Sequence, residues 1–267
     1  MSNALLFYRE ESPSSETAHF VFSYWEFKVD EDVSAPLMHE VFPDGCLSIV
    51  FYQNKTNSQN RDFFINELHS QSIFVPVNAG EVIWGMRILP EAAHAFFGAN
   101  PAEFKSQTAQ KQCLGTRFSP ELEERLAACQ CFPEAIEVYE NYAKNFGVKS
   151  AEIDARLAKA TRIFIETEGQ AKISDVSGQI GLSERQFERN YRKASGLTPK
   201  QFARICRFRA TTLDMIKNSA NNWADRAAAK GFTDQSHLNR EFSNLTGNSP
   251  VQFSSKIKRI KHGKIIE

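Results

Sequence analysis

The sequence has no apolar run near the about 18–20 residues that a membrane-spanning helix needs. Its first residues, MSNALLFYREE, have neither a basic start nor a long apolar stretch, so they do not read as a secretory leader. Cysteine is sparse. Cys46, Cys113, Cys129, Cys131 and Cys206 are odd in number and irregular in spacing, which excludes a disulfide framework and implies a reducing, cytoplasmic setting. Cys129-x-Cys131 is one residue short of the usual zinc pair, and Cys113 does not complete it. His19, His39, His69 and His94 lie far apart with no His-x-His, so neither a metal nor any other cofactor is expected. The phosphate-cradling pattern G-x-x-x-x-G-K-[ST], the dinucleotide pattern G-x-G-x-x-G and the nucleophile elbow G-x-S-x-G are all absent. Glu123-Glu124 falls on what reads as a solvated helix face. Nothing supplies a nucleophile or general base, so the chain is not expected to be an enzyme. The alternative, a β-rich catalytic domain fused to a binding module, finds no catalytic constellation.

What is present is a polarised charge distribution. The 267 residues hold 32 Lys+Arg and 32 Asp+Glu, a net charge of zero. Residues 1–154 hold 11 basic and 22 acidic side chains, a net of −11, and residues 155–267 hold 21 and 10, a net of +11. With 42% apolar residues the chain has enough to build cores, and its length suggests two domains. An acidic half joined to a basic half points to nucleic acid or an acidic surface as the partner of the second.

The acidic half reads as strands over His19–Phe27, Leu47–Tyr52, Ile73–Val77 and Val82–Leu89, a small sandwich or barrel. Helices follow. Pro90 can open one that Gly98 ends, and Asn100-Pro101 and Ser119-Pro120 each pair a capping side chain with proline at the first helical position. Ile136, Tyr139, Tyr142, Ala143 and Phe146 form a stripe suited either to a homodimer interface or to packing on the β body. Phe20, Phe22, Tyr24 and Trp25 could line a pocket for a small-molecule effector or simply form core. Gly147–Ala151 reads as the linker, dividing the chain at 1–150 and 151–267. The predicted class is α+β: a β-rich domain with helices, then an all-α domain.

The basic half repeats itself. Gly181-Leu182-Ser183 aligns with Gly231-Phe232-Thr233 at an offset of 50. Phe187, Arg189, Tyr191, Gly196, Pro199, Gln201 and Phe202 align with Leu238, Arg240, Phe242, Gly247, Pro250, Gln252 and Phe253 at an offset of 51. Such ordered self-similarity means one supersecondary unit used twice. Ser174 can cap a short helix, Gly181 turns the chain, and Ser183 caps a second helix, which is the helix-turn-helix pattern. The units span about 173–194 and 223–244, and Pro199–Lys217 forms the helix joining them. Phe187 and Tyr191 share a buried face, as do Leu238 and Phe242. Arg185, Glu188, Arg189 and Arg192 project oppositely, as do Gln235, Ser236, Asn239 and Arg240. Arg matches guanine, Asn and Gln match adenine, and Glu can accept from cytosine. The joining helix is about 27–29 Å long, near the ~34 Å of one DNA turn. The run Lys256–Lys261 reads as a phosphate-binding arm or a disordered tail.

From Ala155 to Ile257 the sequence resembles the DNA-binding domain of AraC/XylS-type transcription regulators, most specifically in GLSERQFERNY, GLTPKQF and GFTDQSHLNREF with its trailing G-x-S-P-x-x-F. FPDGCLSIVFY (42–52) and GMRILPEAAHAFFG (85–98) resemble the N-terminal domain of poorly characterised members of that family. The resemblance implies sequence-specific binding of double-stranded DNA, with the N-terminal domain sensing a signal or dimerising. It places base reading on Arg185, Glu188 and Arg189, and on Gln235, Ser236, Asn239 and Arg240, with Arg192 and His237 on phosphate. Arg226 and Lys230 stand where the family usually has apolar residues, and Ser177 where it has a small alanine. The expectation is a second scaffold helix with less apolar surface, partly compensated by Trp223.

Overall fold

The structure, a computed structural model, describes residues 5–33, 36–54, 57–105, 118, 120–149, 152–218 and 222–266. The acidic half builds two sheets. Strands β1 (Leu6–Glu11), β2 (Val21–Val29), β4 (Leu47–Asn54), β5 (Asn57–Asn66), β7 (Glu81–Ile88) and β8 (Ile260–His262) form one in the order β5-β4-β7-β2-β1-β8. β3 (Leu37–Val41) and β6 (Ile73–Val77) pair antiparallel as the second. Among the described residues the β1–β8 pairing is parallel and the other pairings of the large sheet are antiparallel. Asp44 supports the turn into β4 by accepting the Cys46 N–H at 3.0 Å.

A 3-10 turn at Pro90–Ala92 runs into α1 (Ala93–Phe97), which Gly98 ends in the left-handed conformation. Asn100 accepts from Ala102 N at the next turn, Pro101–Lys105. The Ser119 cap lies outside the described residues. With α2 (Pro120–Ala128) and α3 (Phe132–Phe146), these elements cover one face of the large sheet. Ile49, Phe51, Trp84 and Met86 meet Phe96, Phe97, Leu126 and Tyr139 there, and the Tyr139 hydroxyl donates to Trp84 O at 3.1 Å. Ile136, Tyr139, Tyr142 and Ala143 of α3 therefore pack on the β body rather than forming a free homodimer face. The other face meets the small sheet, with Phe27 stacked on His39 at 4.3 Å.

The basic half is helical: α4 (Ala155–Glu166), α5 (Ile173–Gln179), α6 (Glu184–Ser195), α7 (Pro199–Lys217), α8 (Trp223–Ala229), α9 (Gln235–Thr246) and α10 (Pro250–Ile257). The joining helix α7 spans the predicted residues. Its first half gives Phe202 and Ile205 to a core with Phe164, Val176, Phe187 and Tyr191. Its second half gives Phe208 and Met215 to a separate core with Leu238, Phe242 and Phe253. One helix thus serves two cores, and the repeat is a physical duplication.

Three sequence expectations change. Ser174 is not the cap of α5. Lys172 holds that position without a side-chain bond, and the Ser174 hydroxyl donates to Asp175 instead. The charges at Arg226 and Lys230 are each met by a carboxylate. Arg226 is buried with its Nε 2.5 Å from Asp214, its Nη2 2.6 Å from Asn218 O, and its guanidinium 4.9 Å over the Trp223 ring. Lys230 pairs with Glu168 at 2.7 Å, tying the second unit to the turn before α5. Finally, the Lys256–Lys261 run is neither a free arm nor a disordered tail: Lys256 pairs with Glu40 of β3 at 2.6 Å, and the chain beyond it adds β8 to the large sheet.

Candidate nucleic-acid interface

Each of α6 and α9 is started by a local device. Ser183 accepts from Gln186 N and Gln186 reaches back to Ser183 N, closing a capping box. Asp234 accepts from His237 N at 2.7 Å at the start of α9. Gly196 and Gly247 end α6 and α9 in the left-handed conformation. Thr198/Gln201 and Ser249/Gln252 form the same box at α7 and α10, the equivalent positions of the repeat.

The buried faces are apolar, so the opposite faces are set. Phe187 and Tyr191 are fully buried under α6, and Leu238 and Phe242 under α9. Arg185, Glu188, Arg189 and Arg192 are exposed together on α6. Gln235, Ser236, Asn239 and Arg240 are exposed together on α9. Within the first set Arg192 pairs with Glu188 at 3.1 Å, an exposed i,i+4 contact that partly neutralises the negative charge a backbone phosphate would meet. His237 is half-buried. It lies edge-on to Phe232 at 5.4 Å, and its Nδ1 faces Thr233 N at 3.3 Å.

The acidic domain grips the opposite side of both units. In the first, Glu91 of the Pro90 turn is buried against α4 and α6, where Thr161 and Tyr191 share a hydrogen bond at 3.1 Å. Burial pushes the Glu91 carboxyl up to about 7, and its Oε2 has no partner. Leu68 packs on both the domain core and the first-unit core. In the second unit Phe42 enters the core, 4.7 Å from Phe253. Ser72 N and Gln71 Nε2 donate to the α9 carbonyls of Leu245 and Asn244 at 2.6 and 3.0 Å.

Between the units sits a buried ionic centre that sequence reading missed. Glu10 of β1 accepts from Arg87 of β7 at 2.8 Å and from Arg209 of α7 at 2.6 Å. Tyr8 donates to it at 2.5 Å, and Ile266 N donates to it at 3.1 Å. Burial alone would raise the Glu10 carboxyl, but Arg87, Arg209 and Tyr8 hold it down to about 2. Beside this centre a cavity of about 500 Å³ opens between the sheets and α7. Trp25, Phe27, Val50, Phe64, Val75 and Phe208 are among its largely apolar walls, with His39 also lining it. Burial drives the His39 imidazole down to about 4, so it is neutral at pH 7. Of the aromatics singled out from sequence, Trp25 alone lines this cavity. Phe20 and Tyr24 are core, and Phe22 borders a different cleft. No signal in the sequence marked Glu10 or Glu91: Arg87 and Arg209 lie 77 and 199 residues from Glu10, and the α4 and α6 residues around Glu91 are far along the chain.

The four described cysteines are free thiols, and Cys113 lies outside the described residues. The histidines of the acidic half are not brought together: His19 faces Val148 O, His94 faces Ala99 O, and His39 stacks on Phe27. No helix among the described residues is long and apolar enough to cross a membrane.

Residues 176–256 match a family described as a helix-turn-helix domain, and residues 9–110 match one described as a domain of unknown function, DUF6597. No curated protein matches. Solved structures similar to the chain include ToxT from Vibrio cholerae O395, with 8% identity over 94% of this chain and 96% of that one at a TM-score of 0.41. A 1.65 Å structure of Vibrio cholerae ToxT shares 9% identity over 83% and 97% of the two chains at 0.41. Unsaturated fatty acid-bound ToxT from strain SCE256 shares 9% over 93% of each chain at 0.39. The chain carries an AraC-type helix-turn-helix domain behind an N-terminal DUF6597 domain.

Proposed function

We propose that this DNA-binding transcription regulator reads two successive major grooves with α6 and α9, and that its N-terminal domain sets the reading in response to a small-molecule effector held between its sheets. The observation that carries the reading is one of faces. Both helices keep these polar residues open to solvent, while the acidic domain meets the helical domain at other faces, through Leu68, Glu91, Phe42, Gln71 and Ser72. Arg185, Glu188 and Arg189 read bases in one groove, and Gln235, Ser236, Asn239 and Arg240 in the next, with Arg192 and His237 on phosphates. Residues 1–150 form the sensing domain and 151–267 the DNA-binding domain. The cavity beside Glu10 is the effector site, since it touches both sheets and α7 at once.

Selection of bound duplexes from a random pool by the full chain, at two salt concentrations, tests this. Two enriched boxes about one helical turn apart are expected. Salt-sensitive binding without an enriched sequence would reduce the interface to its charge and refute the reading. Arg189→Ala should cost about 1–3 kcal/mol on the selected duplex and relax one base position. An equal loss on all duplexes would make Arg189 a phosphate contact.

A further inference from the structure

We propose that the turn Thr167–Gln170 of the first unit, together with Arg204, Arg207 and Lys230, sets the separation at which the two reading helices accept their boxes. The proposal rests on the two-groove reading above and adds the residues that decide spacing.

The two units have separate hydrophobic cores, and α7 runs from one into the other. A unit held by α7 alone could roll about that helix, and α9 would then meet boxes at several separations. Contacts away from the α7 axis oppose the roll. The turn of the first unit meets the turn that leads into α9. Lys230 Nζ donates to both Glu168 carboxylate oxygens, at 2.7 and 2.9 Å. Gln170 Nε2 lies 3.4 Å from Ala229 O, and a Cβ on Gly231 would fall 2.8 Å from Gln170 Oε1, so the two turns touch. Arg207 of α7 spans the seam between them. Its Nη2 donates to Gly169 O at 2.8 Å, and its guanidinium lies 5.5 Å from the centre of the Phe232 ring, which belongs to the second core. Three residues earlier on α7, Arg204 Nε donates to Glu241 of α9 at 2.7 Å.

The backbone of the first turn agrees with this. Glu168, at φ 53°, is the one non-glycine residue with a positive φ among the described residues, and Gly169 follows at 72°. A side chain is kept in that region where its surroundings fix it. Lys230 on the carboxylate and Arg207 on the next carbonyl are such surroundings, and both belong to the bridge.

The consequence is geometric. Adding one base pair between the boxes moves one of them about 3.4 Å along the duplex and about 35° around it. Units free to roll would follow the moved box. Units tied turn to turn and α7 to α9 would not, and one of them would lose its base contacts.

The test uses the full chain and anisotropy titrations of labelled duplexes. These carry each selected box alone, or both boxes at the selected separation and at one or two base pairs more or less. The unaltered chain should lose about tenfold or more in affinity for a shift of one base pair, as expected when one unit's base contacts are lost. A single partly exposed ion pair is a small interaction, so Arg204→Ala and Lys230→Ala are combined. This variant leaves the reading residues in place, so it should bind single-box duplexes within about twofold of the unaltered chain, and its penalty for a one-base-pair shift should fall to about twofold. Arg204→Lys with Lys230→Arg keeps both charges and should retain the penalty. A penalty that survives the alanine pair overturns the spacing role, as does a loss on single-box duplexes equal to that on the two-box duplex. Loss of the penalty in the charge-keeping variant overturns the assignment to the two ion pairs. An unaltered chain that binds two boxes more tightly than one but at every separation alike overturns the proposal and leaves the two-groove reading standing. If two boxes bind no more tightly than one, the two-groove reading itself falls.

Discussion

Arg226 shows how a residue can be misread when its partner is hidden. In sequence it is a charge where an apolar side chain is usual. In the fold it is 3% exposed, and Asp214, twelve residues earlier on α7, closes its charge. A buried pair is costly to break and often neutral to replace. Arg226→Ala should therefore destabilise by about 3–5 kcal/mol, whereas Arg226→Met combined with Asp214→Leu should be near neutral. Denaturant melts of both would decide, and an equal loss in the two would show that the charges themselves stabilise. Glu91 is the opposite case, a buried carboxyl with an unpaired oxygen. Its carboxyl sits at about 7 when folded against an ordinary value of 4.5, so the folded chain holds a proton that the unfolded chain releases. Stability from this group is complete below about pH 4.5 and is lost as pH rises through 7. Glu91→Gln should be worth roughly 2–4 kcal/mol more at pH 8 than at pH 4.5 relative to the unaltered chain. A difference that does not vary with pH would place Glu91 outside the interface.

At the scale of elements, what was legible was what is local. The capping boxes Ser183/Gln186, Thr198/Gln201 and Ser249/Gln252 need only four consecutive residues, and the repeat displays the last two in register. The four strands read from sequence, β2, β4, β6 and β7, are apolar enough to announce themselves. β1, β3 and β5 were not read, because their residues LFYREE, LMHEV and NSQNRDFFIN carry polar side chains whose partners come from other strands. The two carboxylates of β1, Glu10 and Glu11, pair with Arg209 and Lys264, a relation no window of sequence contains. β8 was hidden for the same reason: a three-residue strand in a basic run has no periodicity to detect. The turn before α5 was also missed. Gly169 takes a positive φ there, and a Cβ would fall 1.9 Å from Ala203 O of α7. Gly169→Ala should accordingly destabilise the first unit by more than the about 1 kcal/mol of a simple glycine effect. Hydrogen exchange should show the loss in α4–α6 before α9, and protection lost evenly would mean that the two cores melt as one.

For the whole molecule the charge split now has a geometry. The acidic half does not cover the reading faces, which stay open in the docked form, so occlusion is not its means of control. Its carboxylates go elsewhere: Glu10 to Arg209, Glu40 to Lys256, each behind the helices that would meet DNA. What the docking does fix is the position of each unit, through separate contacts. The first is held at Leu68 and Glu91, the second at Phe42 and Glu40. Two boxes one turn apart can be read together only if both units are held at matching angles, so loosening one contact should uncouple one box. Phe42→Ala removes a ring from the second core while leaving the first untouched. It should weaken binding to a two-box duplex about tenfold or more, as expected when one base-reading unit is lost, and leave a duplex bearing only the first box unaffected. Leu68→Ala should do the reverse. If either substitution weakens both single-box duplexes equally, the acidic domain acts on the helical domain as one rigid piece, and control must run through α7.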